Sequence, residues 1–207
     1  MGEAGPGEDW NAVASQDEAR IRMSKLLILD SYYPEFIRAN PINPAISYQS
    51  NLAALLNQGF GTADFFSRNL NSLGFECADI IVNHQQLQNL WAFENSNPAN
   101  VLKTQIEAFQ PDVIFLQDLS IRLPDTKALI AAQCSCALPR DDSTLRRCDV
   151  VFTSLPKHLD EFARRGIRSV FLPLAFEPSL LDRIPEPVER DIDVSFVGGL
   201  SGWQWEA

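Results

Sequence analysis

A short apolar run recurs along this chain: LLIL at 26–29, IIV at 80–82, VIFL at 113–116, VVF at 150–152 and VSFV at 194–197. Each is too short for a helix and is bounded by polar residues, so each reads as a strand. Strands apolar on both faces are those of a parallel sheet covered by helices on its two sides. The clearest unit is CDVVFTSLPKHLDEFARRGIRSVFLPLAFEP, Cys148 to Pro178. Ser154 is placed to cap a helix, and Pro156 suits its first turn, where a missing N–H costs nothing. Leu159, Phe162 and Ala163 recur at helical spacing. Arg164 and Arg165 favour the negative end of the helix dipole, and Gly166 is the expected terminator. Ser169 to Leu174 then reads as a strand. Strand, helix and strand on tight loops make a right-handed parallel crossover. Repetition of this unit predicts an α/β, Rossmann-like three-layer domain with a mostly parallel sheet of about six strands.

In chain order, residues 1–23 lack an apolar pattern and read as a disordered leader, with Met23 a possible alternative start. Lys25–Asp30 is the first strand, followed by a polar and aromatic loop through Pro34. Helices are expected over Ser47–Asn57 and Ala63–Leu73, a strand over Ala78–Asn83, and helices over His84–Ala92 and Asn100–Phe109. Asp112–Gln117 is the next strand. In Lys127–Cys134 the alanines favour helix, but the short length and the alternation favour a strand. Asp141–Arg147 reads as a short helix. The domain spans 24–176, and 177–190, with Pro178, Pro185 and Pro187, reads as a linker. Residues 191–207 read as the first strand and Gly-rich turn of a second, truncated α/β domain. Val194, Phe196 and Val197 would then form an orphaned strand that could drive self-association.

The chain has 207 residues, 45% of them hydrophobic, enough for one real core. Its net charge of −10 argues against a nucleic-acid partner. No apolar run approaches a membrane span, and no secretory segment opens the chain. The cysteines Cys77, Cys134, Cys136 and Cys148 form no CxxC pair, and only His84 and His158 could join them. The expectation is reduced, mostly buried thiols, no metal site and a cytoplasmic protein.

Ligands of open α/β sheets bind beyond the carboxyl ends of strands. That rule nominates Ser31, Tyr32, Asn83, His84, Gln117, Asp118, Gln133 and Ser154. His84 fits a general base or a sugar-hydroxyl partner, and equally a helix cap. Asp118 fits a ligand acceptor or base, and equally a turn cap. Tyr32 fits a stacking platform for a sugar, and equally a buried loop aromatic. Gly198 and Gly199 follow a strand, where glycines let a backbone approach phosphate or simply make a tight turn.

In order and spacing, KLLILDSYYPEF (25–36), ADIIVNHQQLQNLWAFE (78–94), QPDVIFLQDLS (110–120), residues 149–178 and DIDVSFVGGLSGW (191–203) resemble one family. It is the N-terminal half of GT-B glycosyltransferases, in the branch with CgeB-like spore-maturation proteins. The resemblance implies an acceptor-binding domain here and a nucleotide-sugar donor site beyond it, with Gly198 and Gly199 at the donor diphosphate. It implies no cofactor beyond the nucleotide sugar and leaves the acceptor open. The chain departs from the pattern by ending at that turn, so activity is expected of a longer form.

Two other classes stay open. KLLILD and PDVIFLQD also resemble strands of a two-component receiver, with Asp118 as phosphoacceptor. Against it, Asp30 is followed by Ser31 rather than an acid, and Lys157 lies after Pro156 inside a helix. A catalytically silent interaction domain would share the fold without the activity.

Overall fold

The computed structural model describes residues 24–97 and 99–184. The leader, residues 185–190 of the expected linker, the strand expected at 191–197 and Gly198 and Gly199 lie outside them. The chain divides into a compact unit through Ala175 and a second from Phe176. In the first, the elements are β1 (Lys25–Asp30), α1 (Pro34–Ala39), α2 (Tyr48–Leu56), α3 (Phe65–Ser72), β2 (Glu76–Ile81), α4 (Gln85–Glu94) and α5 (Val101–Phe109). There follow β3 (Val113–Leu116), β4 (Leu129–Gln133), α6 (Ser143–Arg146), β5 (Val150–Thr153), α7 (Pro156–Arg164) and β6 (Ser169–Phe171). The six strands form one sheet in the order β2-β1-β3-β4-β5-β6. Every neighbouring pair is parallel. The fold is α/β and Rossmann-like, with helices flanking the sheet.

Strand parity sorts the core into two layers. Leu27, Leu29, Ile114, Leu116, Ile130 and Ala132 turn to one face and pack with Ile106 of α5. Val151 continues that face and meets Leu145 of α6 and Phe162 of α7. Burying a side chain as fully as Phe162 contributes about 1.5–3 kcal/mol. Ile28, Phe115 and Ala131 turn the other way and pack with Phe66 of α3. The Phe66 and Phe115 rings meet edge to face at 5.2 Å. β4 is the strand expected from its position, despite its alanines. Ala131 and Ala132 are buried, one on each face, between β3 and β5. Ladder pairing on both sides overrides the helical preference of alanine.

Several expectations are corrected. The loop expected after β1 is followed by a helix that was not expected, α1, with Pro34 in its first turn and Arg38 paired to Glu35 at 2.6 Å. Ser154 does not cap α7; Leu155 occupies that position without a side-chain cap. Thr153 Oγ1 instead accepts from the Leu155 N–H. β6 stops at Phe171. In the second unit, Pro178–Arg183 is a 3₁₀ helix inside the expected linker, started by Glu177 accepting from Ser179 N–H. Of the four free thiols only Cys134 is buried; Cys136 is exposed. None of the described helices is long and apolar enough to cross a membrane.

Candidate functional site

The strand order reverses between β1 and β3, and the crevice outside their carboxyl ends is where such sheets hold ligands. Ile28 pairs with Phe115, and Phe115 with Ala131. Carrying that register two residues on aligns Asp30, Gln117 and Gln133 across β1, β3 and β4, all on the face that bears α3. Gln117 N–H donating to Leu29 O at 2.9 Å continues the ladder as this requires. Phe152 of β5, paired with Gln133, ends the row on one side. Ile81 of β2, paired with Asp30, ends it on the other.

The row is polar and incompletely satisfied. Gln117 Nε2 and Gln133 Oε1 are buried without a hydrogen-bond partner. Such groups cost about 1–3 kcal/mol when left unpaired. One is a donor and the other an acceptor, the complement of a neutral hydroxyl. Burial raises the Asp30 carboxyl above the usual range; the Ser31 N–H, donating at 2.8 Å, opposes this, and Asp118 adds to the rise. Asp118 itself is half-buried. It accepts from Ser120 N–H and Oγ, both at 2.8 Å, so it also makes the turn-capping bonds. At the end of β5, Ser154 N–H donates to Ser135 Oγ at 3.0 Å.

The remaining nominated residues form a neighbouring cluster. Tyr32 is 3% exposed and packs edge to face on Phe36 and Phe60. Its hydroxyl is buried without a partner. Burial first, then Asp30, Asp79 and Asp64, hold its phenol above the ordinary range. Asn83 grips the Tyr32 main chain. His84 is fully buried at the start of α4. Its Nδ1 accepts from Leu87 N–H, and its Nε2 lies 3.4 Å from Asn40 O. The accepting role of Nδ1 places the proton on Nε2, which donates to that carbonyl. His84 therefore faces Asn40 and Leu87.

Asp30 and Ser135 were not nominated from the sequence. Asp30 was readable from parity, two residues beyond Ile28 on the same face. Ser135 was not, because its relation to Ser154 depends on how the β4 loop turns. Among the described residues, no group of three or more His, Cys, Asp or Glu is arranged to hold a metal. No protein-family model, curated protein or solved structure matches the chain.

Proposed function

We propose that the first unit is the acceptor-binding half of a GT-B-type glycosyltransferase-like protein. The observation that carries this reading is the row Asp30–Gln117–Gln133, with one unpaired amide donor and one unpaired acceptor. A sugar hydroxyl both donates and accepts, so a neutral saccharide satisfies both groups at once. The nucleotide sugar is the co-substrate, and its expected contacts, Gly198 and Gly199, lie outside the described residues. In the reaction, an acceptor hydroxyl held by Gln117 and Gln133 attacks the anomeric carbon of the donor. Its proton passes to Asp118, the half-buried carboxylate at the same strand ends. The bond from the anomeric carbon to the diphosphate oxygen breaks, and the electron pair leaves with the nucleoside diphosphate. Orienting the two reactants is worth up to roughly 7–11 kcal/mol of the barrier. Tyr32 and His84 act from behind, shaping the loop after β1. The free thiols fit a cytoplasmic setting.

The test is titration with neutral oligosaccharides, followed at the side-chain amides of Gln117 and Gln133 by NMR. Saturable shifts that vanish in Gln117→Leu support the reading. Absence of any shift across a panel of saccharides ends it. Nucleoside diphosphate release from nucleotide sugars by a form that includes the donor domain, lowered about 100-fold or more by Asp118→Asn, is the matching activity test.

One observation favours a receiver-like alternative: Asp30 and Asp118 stand at adjacent strand ends, and the Asp118 charge adds to the rise of the Asp30 carboxyl. Incubation with acetyl phosphate and magnesium separates the two. Stable labelling of Asp118 would support a receiver and displace the transferase reading.

A further inference from the structure

A cavity of ≈ 1020 Å³ lies along the outer edge of β2, lined from α2, α3, α4, α5 and β2 itself. In the dinucleotide-binding doubly wound order a further strand flanks the second one. Among the described residues β2 is the last strand on that side. Glu76 N–H donates to Ser24 O, and Val82 N–H to Asp30 O, so even-numbered residues of β2 bond to β1. The main-chain groups of Cys77, Asp79 and Ile81 therefore turn outward. Side chains close this edge at both ends. Asn71 Oδ1 accepts from Cys77 N–H at 2.8 Å, and Gln88 Nε2 donates to Ile81 O at 2.9 Å. Such plugs blunt an edge against another strand. The space left between them suits a small molecule.

Its polar lining is rich in acceptors. Gln105 of α5 is 4% exposed. Its Nε2 donates to the Tyr48 hydroxyl at 3.3 Å, and its Oε1 is buried with no partner. Turning the amide over moves the unpaired atom but does not remove it. Asp79 accepts from Ser67 Oγ through one carboxyl oxygen, and its side chain lines the cavity. The other charged lining residues are Asp64 and Arg68 of the α3 segment, 3.7 Å apart. The lining thus holds two carboxyl groups to one guanidinium, while Trp91 and Phe109 supply apolar wall.

We propose that this cavity binds a small amino-polyol, whose ammonium and hydroxyl groups donate to Asp79 and Gln105 while its carbon face rests on Trp91. An ammonium beside Asp79 favours its ionised form and meets it as a counter-charge, and hydroxyls answer the unpaired amide. The site is separate from the Asp30–Gln117–Gln133 row, and the two stand or fall independently.

The probe is D-glucosamine, titrated into the full chain and followed at the Trp91 indole N–H and the Gln105 side-chain amide by NMR. D-glucuronate, with a similar ring and the opposite charge, is the control. Saturable shifts with glucosamine and none with glucuronate are expected. Asp79→Asn and Gln105→Leu should each weaken binding about tenfold or more. Ala53→Trp, an exposed lining position on α2, should block entry without touching the acceptors or the core. No glucosamine shift at Trp91, equal shifts with glucuronate, or full affinity in Ala53→Trp would overturn the proposal.

Discussion

The side chain of Asn83 holds the main chain of Tyr32 at both of its polar groups. Oδ1 accepts from the Tyr32 N–H at 3.0 Å, and Nδ2 donates to the Tyr32 carbonyl at 2.8 Å. The loop after β1 is thereby tied to the loop after β2, residues 51 positions apart in the chain. Asn83→Ala removes both bonds and should lower stability by about 1–2 kcal/mol. Asn83→Asp keeps the acceptor but sets a carboxylate oxygen against the Tyr32 carbonyl, so it should lose at least as much. Urea unfolding of the three proteins measures this; an unchanged midpoint in Asn83→Ala would mean the tie holds nothing.

His84 is expected to behave as a cap. His84→Ala removes the Nδ1 acceptor for Leu87 N–H and the Nε2 donor to Asn40 O. A loss of about 2 kcal/mol is expected, cap and emptied volume together. Asn at position 84 can accept the same N–H, so His84→Asn should recover part of it. Thermal unfolding of both variants is the measurement. Equal losses in Ala and Asn would show that packing, not capping, is what His84 supplies.

Stability should fall with rising pH through the titration of Asp79. Burial first, offset by Ser67 and assisted by Asp64 and Asp30, pushes its carboxyl from 3.8 up to about 7. Between those values the folded protein holds a proton that the unfolded chain has released. The stabilisation is complete below the unfolded value and is lost as pH rises through about 7. The slope is at most about 1.4 kcal/mol per pH unit, reduced by whatever water reaches the cavity. Asp79→Asn, which cannot ionise, should flatten the profile between pH 5 and 7. Unfolding midpoints across that range check the sign.

Thiol reactivity should split one against three. Cys136 is exposed. Burial pushes Cys77, Cys134 and Cys148 up to about 11, with nearby Asp79, Cys136 and Asp149 respectively adding to it. At pH 8 an aromatic disulfide reagent should modify Cys136 quickly and the others slowly, since the thiolate is the reacting form. Cys136→Ser should abolish the fast phase.

Much of the architecture was legible in local pattern. LLIL and VIFL are apolar on both faces because helices cover both sides of β1 and β3; in VVF only Val151 is buried, and Val150 and Phe152 are half-buried. Gly166 ends α7 with φ 69°, as a residue without Cβ can at no steric cost. Ser47 caps α2 by accepting from Ser50 N–H, one residue inside the expected start. α1 was not legible: Pro34-Glu35-Phe36 carries as many turn signals as helical ones, and six residues show too little periodicity.

The candidate site divides along the same line. The sequence by itself determined which residues stand at strand ends, because an apolar run followed by a polar residue marks that point. It thus supplied Gln117, Asp118, Gln133 and Ser154. Only the tertiary structure decided which of them meet. The order β2-β1-β3-β4 and its register set Asp30, Gln117 and Gln133 side by side, across separations that no local pattern encodes. It also buried His84 against Asn40 and left the Gln105 Oε1 without a partner in a lining it shares with Asp79. Periodicity reports a residue's face on its own element; its partners depend on how distant elements are laid against one another.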